Sequence, residues 1–90
     1  MAHIIRDKAK LLARIRRIQG QAAGLERLLE SDSDCNEVLQ QIASIRGAVN
    51  GLMYSVLEGH LVEHVVKEPK LEQREHDFEP VLQVIKSYLK

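Results

Sequence analysis

Apolar residues recur along most of this chain at helical intervals. Leu11, Ile15, Ile18, Ala22, Leu25 and Leu29 step by 4, 3, 4, 3 and 4. That is the spacing of one face of an α-helix. Leu12 and Leu28 widen the stripe and Ile4 precedes it, so the pattern predicts a first helix over 4–30. Gly20 and Gly24 interrupt it. Each costs roughly 1 kcal/mol against Ala in an exposed helix, and each leaves room for another helix to come close. Ser31-Asp32-Ser33-Asp34 reads as a loop, with Ser33 or Asp34 as the cap of the next helix and Glu37 as a first-turn carboxylate.

A second helix is predicted over 35–66. Cys35, Val38, Ile42, Ile45, Val49, Leu52 and Val56 alternate steps of 3 and 4 through three heptads, a coiled-coil spacing. Met53, Leu57, Leu61 and Val65 form a second stripe beside it. One helix cannot bury both stripes alone, so this one needs the first helix and a partner. Lys67-Glu68-Pro69-Lys70 ends it. A third, shorter helix centres on Phe78, Val81, Leu82, Ile85, Tyr88 and Leu89. Proline is tolerated in a first helical turn, so Pro80 places the start near Glu79, with Asp77 as a candidate cap. The expectation is an all-α, three-helix subunit whose 90 residues make a single domain.

Composition supports this and adds a constraint. Hydrophobic residues are 44% of the chain but aromatics only 3%, with no Trp. A chain of this size buries a modest share of its surface, so an oligomer sharing its core is expected. Five Gly and two Pro do not supply a turn-rich β-sandwich. No run of about 18 apolar residues is present to span a membrane, and Met1–Arg6 lacks a signal-peptide pattern. Cys35 is the single cysteine. It makes no internal disulfide, and a reduced thiol fits a cytoplasmic location.

Net charge is zero, but unevenly spread. Residues 1–17 hold Arg6, Lys8, Lys10, Arg14, Arg16 and Arg17 against Asp7 alone, a balance of +5 that the remainder offsets. Arg6, Lys10, Arg14 and Arg17 step by 4, 4 and 3 along one side of the first helix, Gln21 extends the line, and Arg46 adds a charge on the second. Such a stripe suits phosphates; the competing reading is a solvated helix face. With almost no aromatics, contacts would go mainly to a nucleic-acid backbone, with little base readout.

The histidines and the cysteine carry the chemistry. His60 and His64 stand at i and i+4 and can grip one metal ion. They could equally be two surface histidines favoured by the dipole of a helix end. Cys35 lies 25 residues earlier on the same predicted helix, about 37 Å away at ~1.5 Å per residue. It reaches the pair only if two helices run antiparallel, Cys35 of one chain beside His60 and His64 of the other. The midpoint of such a crossing carries Ala43, Gly47 and Gly51, a small residue every four positions. His3 adds a third imidazole, close enough to the amino terminus to chelate with it; otherwise it is an incidental residue on a frayed end. His76 reads as a surface residue or a support for a ligand. Three imidazoles and one thiolate suit Ni(II) or Co(II) and do not exclude Zn(II), whereas Cu(I) prefers more thiolate. An enzyme is not expected: the chain offers no nucleophile–base pair and no oxyanion donors.

Together these residues resemble the CsoR/RcnR family of bacterial metal-sensing repressors, and within it the nickel/cobalt branch. The resemblance rests on Met1-Ala2-His3, Ile5-Arg6-Asp7-Lys8, Ile18-Gln19-Gly20-Gln21, Val38–Ala43 after Cys35, Ile45–Met53, Gly59-His60-Leu61, Glu63-His64 and Ser87–Lys90. It implies a three-helix subunit, an antiparallel dimer and a tetramer of two dimers. It implies a repressor that binds double-stranded operator DNA as apo-protein and leaves it on binding Ni(II) or Co(II), freeing metal-efflux genes. The family's ligand positions fall on His3, Cys35, His60 and His64, with Glu63 beside them as support, and Arg14 and Arg17 match DNA-contacting positions. Copper sensors have a second Cys where this chain has His64, and persulfide sensors need two cysteines. Formaldehyde sensors pair their Cys with a proline at position 2, here Ala2. Lys67 stands where the nickel/cobalt branch has a further His. A formaldehyde or Zn(II) sensor, or a metal buffer that never meets DNA, remain the alternatives. His3 is expected to couple the ends: drawn to the metal, it would shift the basic first helix out of its DNA-binding pose.

Overall fold

The structure, a computed structural model, describes residues 2–89. It contains α1 (Ala2–Arg6), α2 (Lys8–Glu30), α3 (Cys35–Leu61), a π-helical turn over Val62–Val66, and α4 (Leu71–Tyr88). No strand is present among the described residues. The all-α expectation holds, with two corrections to the helix boundaries.

The predicted first helix is two helices. At Asp7 the backbone turns to φ −96°, ψ 9°. The Asp7 carbonyl nevertheless accepts from the Leu11 amide at 2.9 Å and so starts α2. Hydrophobic spacing cannot register a one-residue break. The α2–α3 junction follows local chemistry. Asp32 takes φ 56°, a left-handed conformation. The Ser33 amide bonds the Leu28 carbonyl at 3.0 Å and the Asp32 amide the Leu29 carbonyl at 3.4 Å, the double closure of a Schellman end. Asp34, one of the two cap candidates, then accepts the Asn36 amide on Oδ1 at 2.6 Å and caps α3.

The second correction concerns α4. It begins at Leu71, not near Glu79, and Pro80 lies inside it. Proline there removes one helical hydrogen bond, but His76, whose carbonyl loses its partner, is exposed, so water can serve it. Contacts on both sides hold the helix together: Val81 is buried and Asp77 engages two histidines. Asp77 is therefore an interior residue of α4 rather than its cap. Before α4, the Arg74 guanidinium donates to the carbonyls of Glu68 and Pro69, fixing the turn.

The chain forms two compact units, Met1–Arg6 with Ser55–Lys90, and Asp7–Tyr54. In the second, α2 and α3 pair antiparallel. A Cβ added at Gly24 would sit 3.2 Å from Gln41 Nε2, and one at Gly51 would sit 3.1 Å from Arg14 Nη1. The Gln41 amide donates to the Gln21 carbonyl at 2.8 Å and the Gln21 amide to Ser44 Oγ at 2.9 Å. Leu11 is the buried apolar residue of this unit, and Val81 of the other. Ile15, Leu29, Leu39, Ile42 and Val49 stay exposed.

Candidate metal centre and basic face

Three histidines meet in the unit that joins α1 to the end of α3, the π turn and α4. His60 lies in the last turn of α3 and His64 in the π turn. In an α-helix, four residues overshoot one turn of 3.6. The wider π turn reduces that overshoot, and the two ring centroids lie 4.7 Å apart. His3, on α1, packs edge-on against both, at 5.9 Å from His60 and 5.4 Å from His64. It is only 3% exposed, so the frayed-end reading is wrong for it. Gly59 makes room: a Cβ there would lie 2.8 Å from His3 Nδ1. Burial lowers the His3 pKa below 6.5, aided by the positive amino terminus, His64, His60 and Arg6. Burial thus favours the neutral ring, which has a lone pair to give.

One nitrogen from each ring lies within 4.8 Å of the others. Nitrogens bound to one ion at ~2.1 Å stand at most about 4.2 Å apart. Small side-chain rotations close the difference, so the three imidazoles fit a borderline divalent metal.

Asp77 is the residue that sequence reasoning missed. Its carbonyl oxygen lies 2.8 Å from His60 Nε2, and its carboxylate Oδ2 3.5 Å from His64 Nδ1. Gln73 donates to Oδ1 at 3.0 Å. The signal was available. A helix running unbroken through Pro80 puts Arg74, Asp77, Val81 and Val84 on one face at steps of 3, 4 and 3, and all four are at least partly shielded.

Other expected residues are distributed differently. Cys35 is exposed at the first residue of α3 and does not join the three-histidine group. Glu63 pairs with Arg6 at 3.4 Å rather than touching an imidazole. Arg6 thereby belongs to the histidine unit, on α1, apart from the α2 stripe. His76 is exposed, as one of its readings has it. The amino-terminal amine, on Met1, lies outside the described residues.

The basic face belongs to the other unit. Lys10, Arg14 and Arg17 are exposed on α2, and Arg46 on α3. A polar groove of about 300 Å³ is lined by Arg14, Arg17, Gln21, Ser44, Gly47 and Ala48. Gln21 lines the same groove, its amide donating to Ser44 Oγ at 2.9 Å. Gly47 is open, with nothing within 4 Å of an added Cβ, whereas Gly51 lies beneath Arg14 of the same chain.

The pattern describing metal-sensitive transcriptional repressors matches residues 7–87. The chain belongs to that family. It is a metal-responsive transcriptional repressor, of a family of regulators rather than enzymes. It is similar to the transcriptional repressor RcnR of Citrobacter koseri, 53% identical over 90 residues and the whole of both chains. RcnR of Salmonella typhimurium is 52% identical over the same span. Among solved structures, a variant of the formaldehyde-responsive regulator FrmR from Salmonella enterica serovar Typhimurium superposes with TM-score 0.82 at 43% identity. That match covers 92% of this repressor and 94% of FrmR. No helix among the described residues is long and apolar enough to cross a membrane.

Proposed function

We propose that this repressor responds to Ni(II) or Co(II) and controls genes for metal efflux, with all 90 residues acting as one metal-sensing, DNA-binding unit. The observation that carries the reading is the cluster of His3, His60 and His64, three neutral-capable nitrogens within 4.8 Å. An imidazole-rich site prefers borderline metals over Cu(I), and relatives named RcnR support the same choice. Cys35 of a second copy completes the set in an antiparallel dimer, two of which form a tetramer. The exposed apolar stripe of Ile42 and Val49 on α3 supports such pairing. Lys10, Arg14, Arg17 and Arg46 contact phosphates of double-stranded operator DNA, Arg6 adding charge from α1, while Glu63 steadies the metal end through Arg6. Metal releases DNA by favouring the weakly binding conformation, and His3 carries the coupling. The location is cytoplasmic, where operator DNA is.

The test is fluorescence anisotropy on DNA from upstream of the repressor's own gene, at fixed salt, titrating Ni(II), Co(II), Zn(II), Cu(I) and formaldehyde in turn. Release by Ni(II) or Co(II) alone is expected. Likeness to FrmR motivates the formaldehyde arm: release there alone would keep the repressor and overturn its effector. No specific binding would leave a metal buffer. His3→Ala is expected to weaken metal-induced release; retention of full affinity and full release would end the coupling role of His3.

A further inference from the structure

Asp77 touches two candidate ligands through two different groups. A carbonyl oxygen can only accept, so the 2.8 Å contact with His60 Nε2 requires the proton on that nitrogen. The His60 lone pair is then on Nδ1. The carboxylate likewise only accepts when ionised, and it faces His64 Nδ1 at 3.5 Å. It favours the proton there and the lone pair on Nε2. One α4 residue thus sets opposite tautomers in the two rings. The carboxylate does not wander, because Gln73, one turn earlier, donates to its other oxygen at 3.0 Å.

We propose that Asp77 is a positioning residue of the metal centre: its carbonyl and its carboxylate present His60 through Nδ1 and His64 through Nε2. This rests on the metal-site reading above. Groups that orient metal-bound histidines commonly change affinity by about 10–100-fold. The two contacts also differ in kind. The carbonyl contact survives any side-chain replacement, whereas the carboxylate contact does not.

That difference makes the proposal testable without metal. Long-range ¹H–¹⁵N spectra of the apo-protein report each imidazole tautomer. The wild type is expected to show His60 protonated on Nε2 and His64 on Nδ1. In Asp77→Ala, His64 should lose its preference while His60 keeps its own, and Ni(II) affinity should fall about 10–100-fold. Asp77→Asn, which keeps an accepting oxygen without the charge, should fall between. An unchanged His64 tautomer in Asp77→Ala, or unchanged Ni(II) affinity beside a shifted tautomer, overturns the proposal. A wild type with both expected tautomers but no tight Ni(II) or Co(II) binding overturns the metal reading instead, so the two failures are distinguishable. Helical circular dichroism of each variant separates either result from simple unfolding.

Discussion

Gly59→Ala isolates the contribution of His3 with a single methyl group. Gly59 lies inside α3, and no glycine among the described residues has positive φ, so alanine suits its backbone. Helix propensity alone favours the change by roughly 1 kcal/mol. The obstacle is His3. The new Cβ would stand 2.8 Å from its Nδ1, 3.4 Å from Cγ and 3.5 Å from Cβ, where ordinary contact begins at 3.4 Å. The ring must retreat by the difference of 0.6 Å. Productive sites hold their groups within about 0.5 Å, and the three nitrogens must draw together, not apart, to share an ion. A loss of at least about tenfold in Ni(II) affinity is expected, equivalent to ~1.4 kcal/mol. The assay is competition against a chromophoric chelator, alongside urea unfolding of the apo-protein. Unfolding should change little, because the propensity gain offsets the displaced imidazole. Gly20→Ala, with nothing within 4 Å, is the control: it should stabilise by roughly 1 kcal/mol and leave the metal alone. Wild-type Ni(II) affinity in Gly59→Ala would refute the packing of His3 as a ligand.

Three further outcomes follow from the same geometry. Asp34→Ala removes the cap on the Asn36 amide and should cost about 1 kcal/mol in urea unfolding, most of it recovered by Asp34→Ser. Because the folded His3 pKa lies below 6.5, the unfolded chain takes up the proton first as pH falls. Stability should therefore rise with pH through the window just below 6.5 and level off above it, and His3→Ala should flatten that slope. Arg14→Ala and Arg17→Ala should each weaken DNA binding by a similar factor on all sequences and reduce the salt dependence by roughly one unit of slope; a loss confined to one operator would point to base contact instead.

Much of the fold is legible because helical spacing is written in Leu, Ile and Val. The end of α2, the Asp34 cap and the run of α3 all follow from short-range chemistry. What spacing does not reveal are events of one residue. Asp7 breaks a helix without disturbing the stripe. Pro80 carries a strong local preference for a first turn, and tertiary contacts at Asp77 and Val81 override it. The site was legible as residue types. His60 and His64 announce themselves by interval, but His3 and Asp77 reach them from 57 and 13 residues away, through α1 and α4. Misplacing the start of α4 concealed Asp77, since a cap residue faces its own helix, not a neighbour's ligands.

The division of the chain bears on how a metal signal could travel. His3, His60, His64 and Asp77 all fall in the unit of Met1–Arg6 and Ser55–Lys90. Lys10, Arg14, Arg17 and Arg46 all fall in Asp7–Tyr54. The backbone passes from one unit to the other at two places, the bend at Asp7 and the interior of α3 between Tyr54 and Ser55. The two crossings differ in backbone geometry. The α3 crossing runs through continuous helix. The Asp7 crossing stands outside helical dihedrals, at φ −96° and ψ 9°. His3 lies four residues before that bend, and Arg14 and Arg17 about two and three turns beyond it. On the proposed coupling through His3, the signal would enter α2 through Asp7, the connection that leads into the helix carrying most of the basic face.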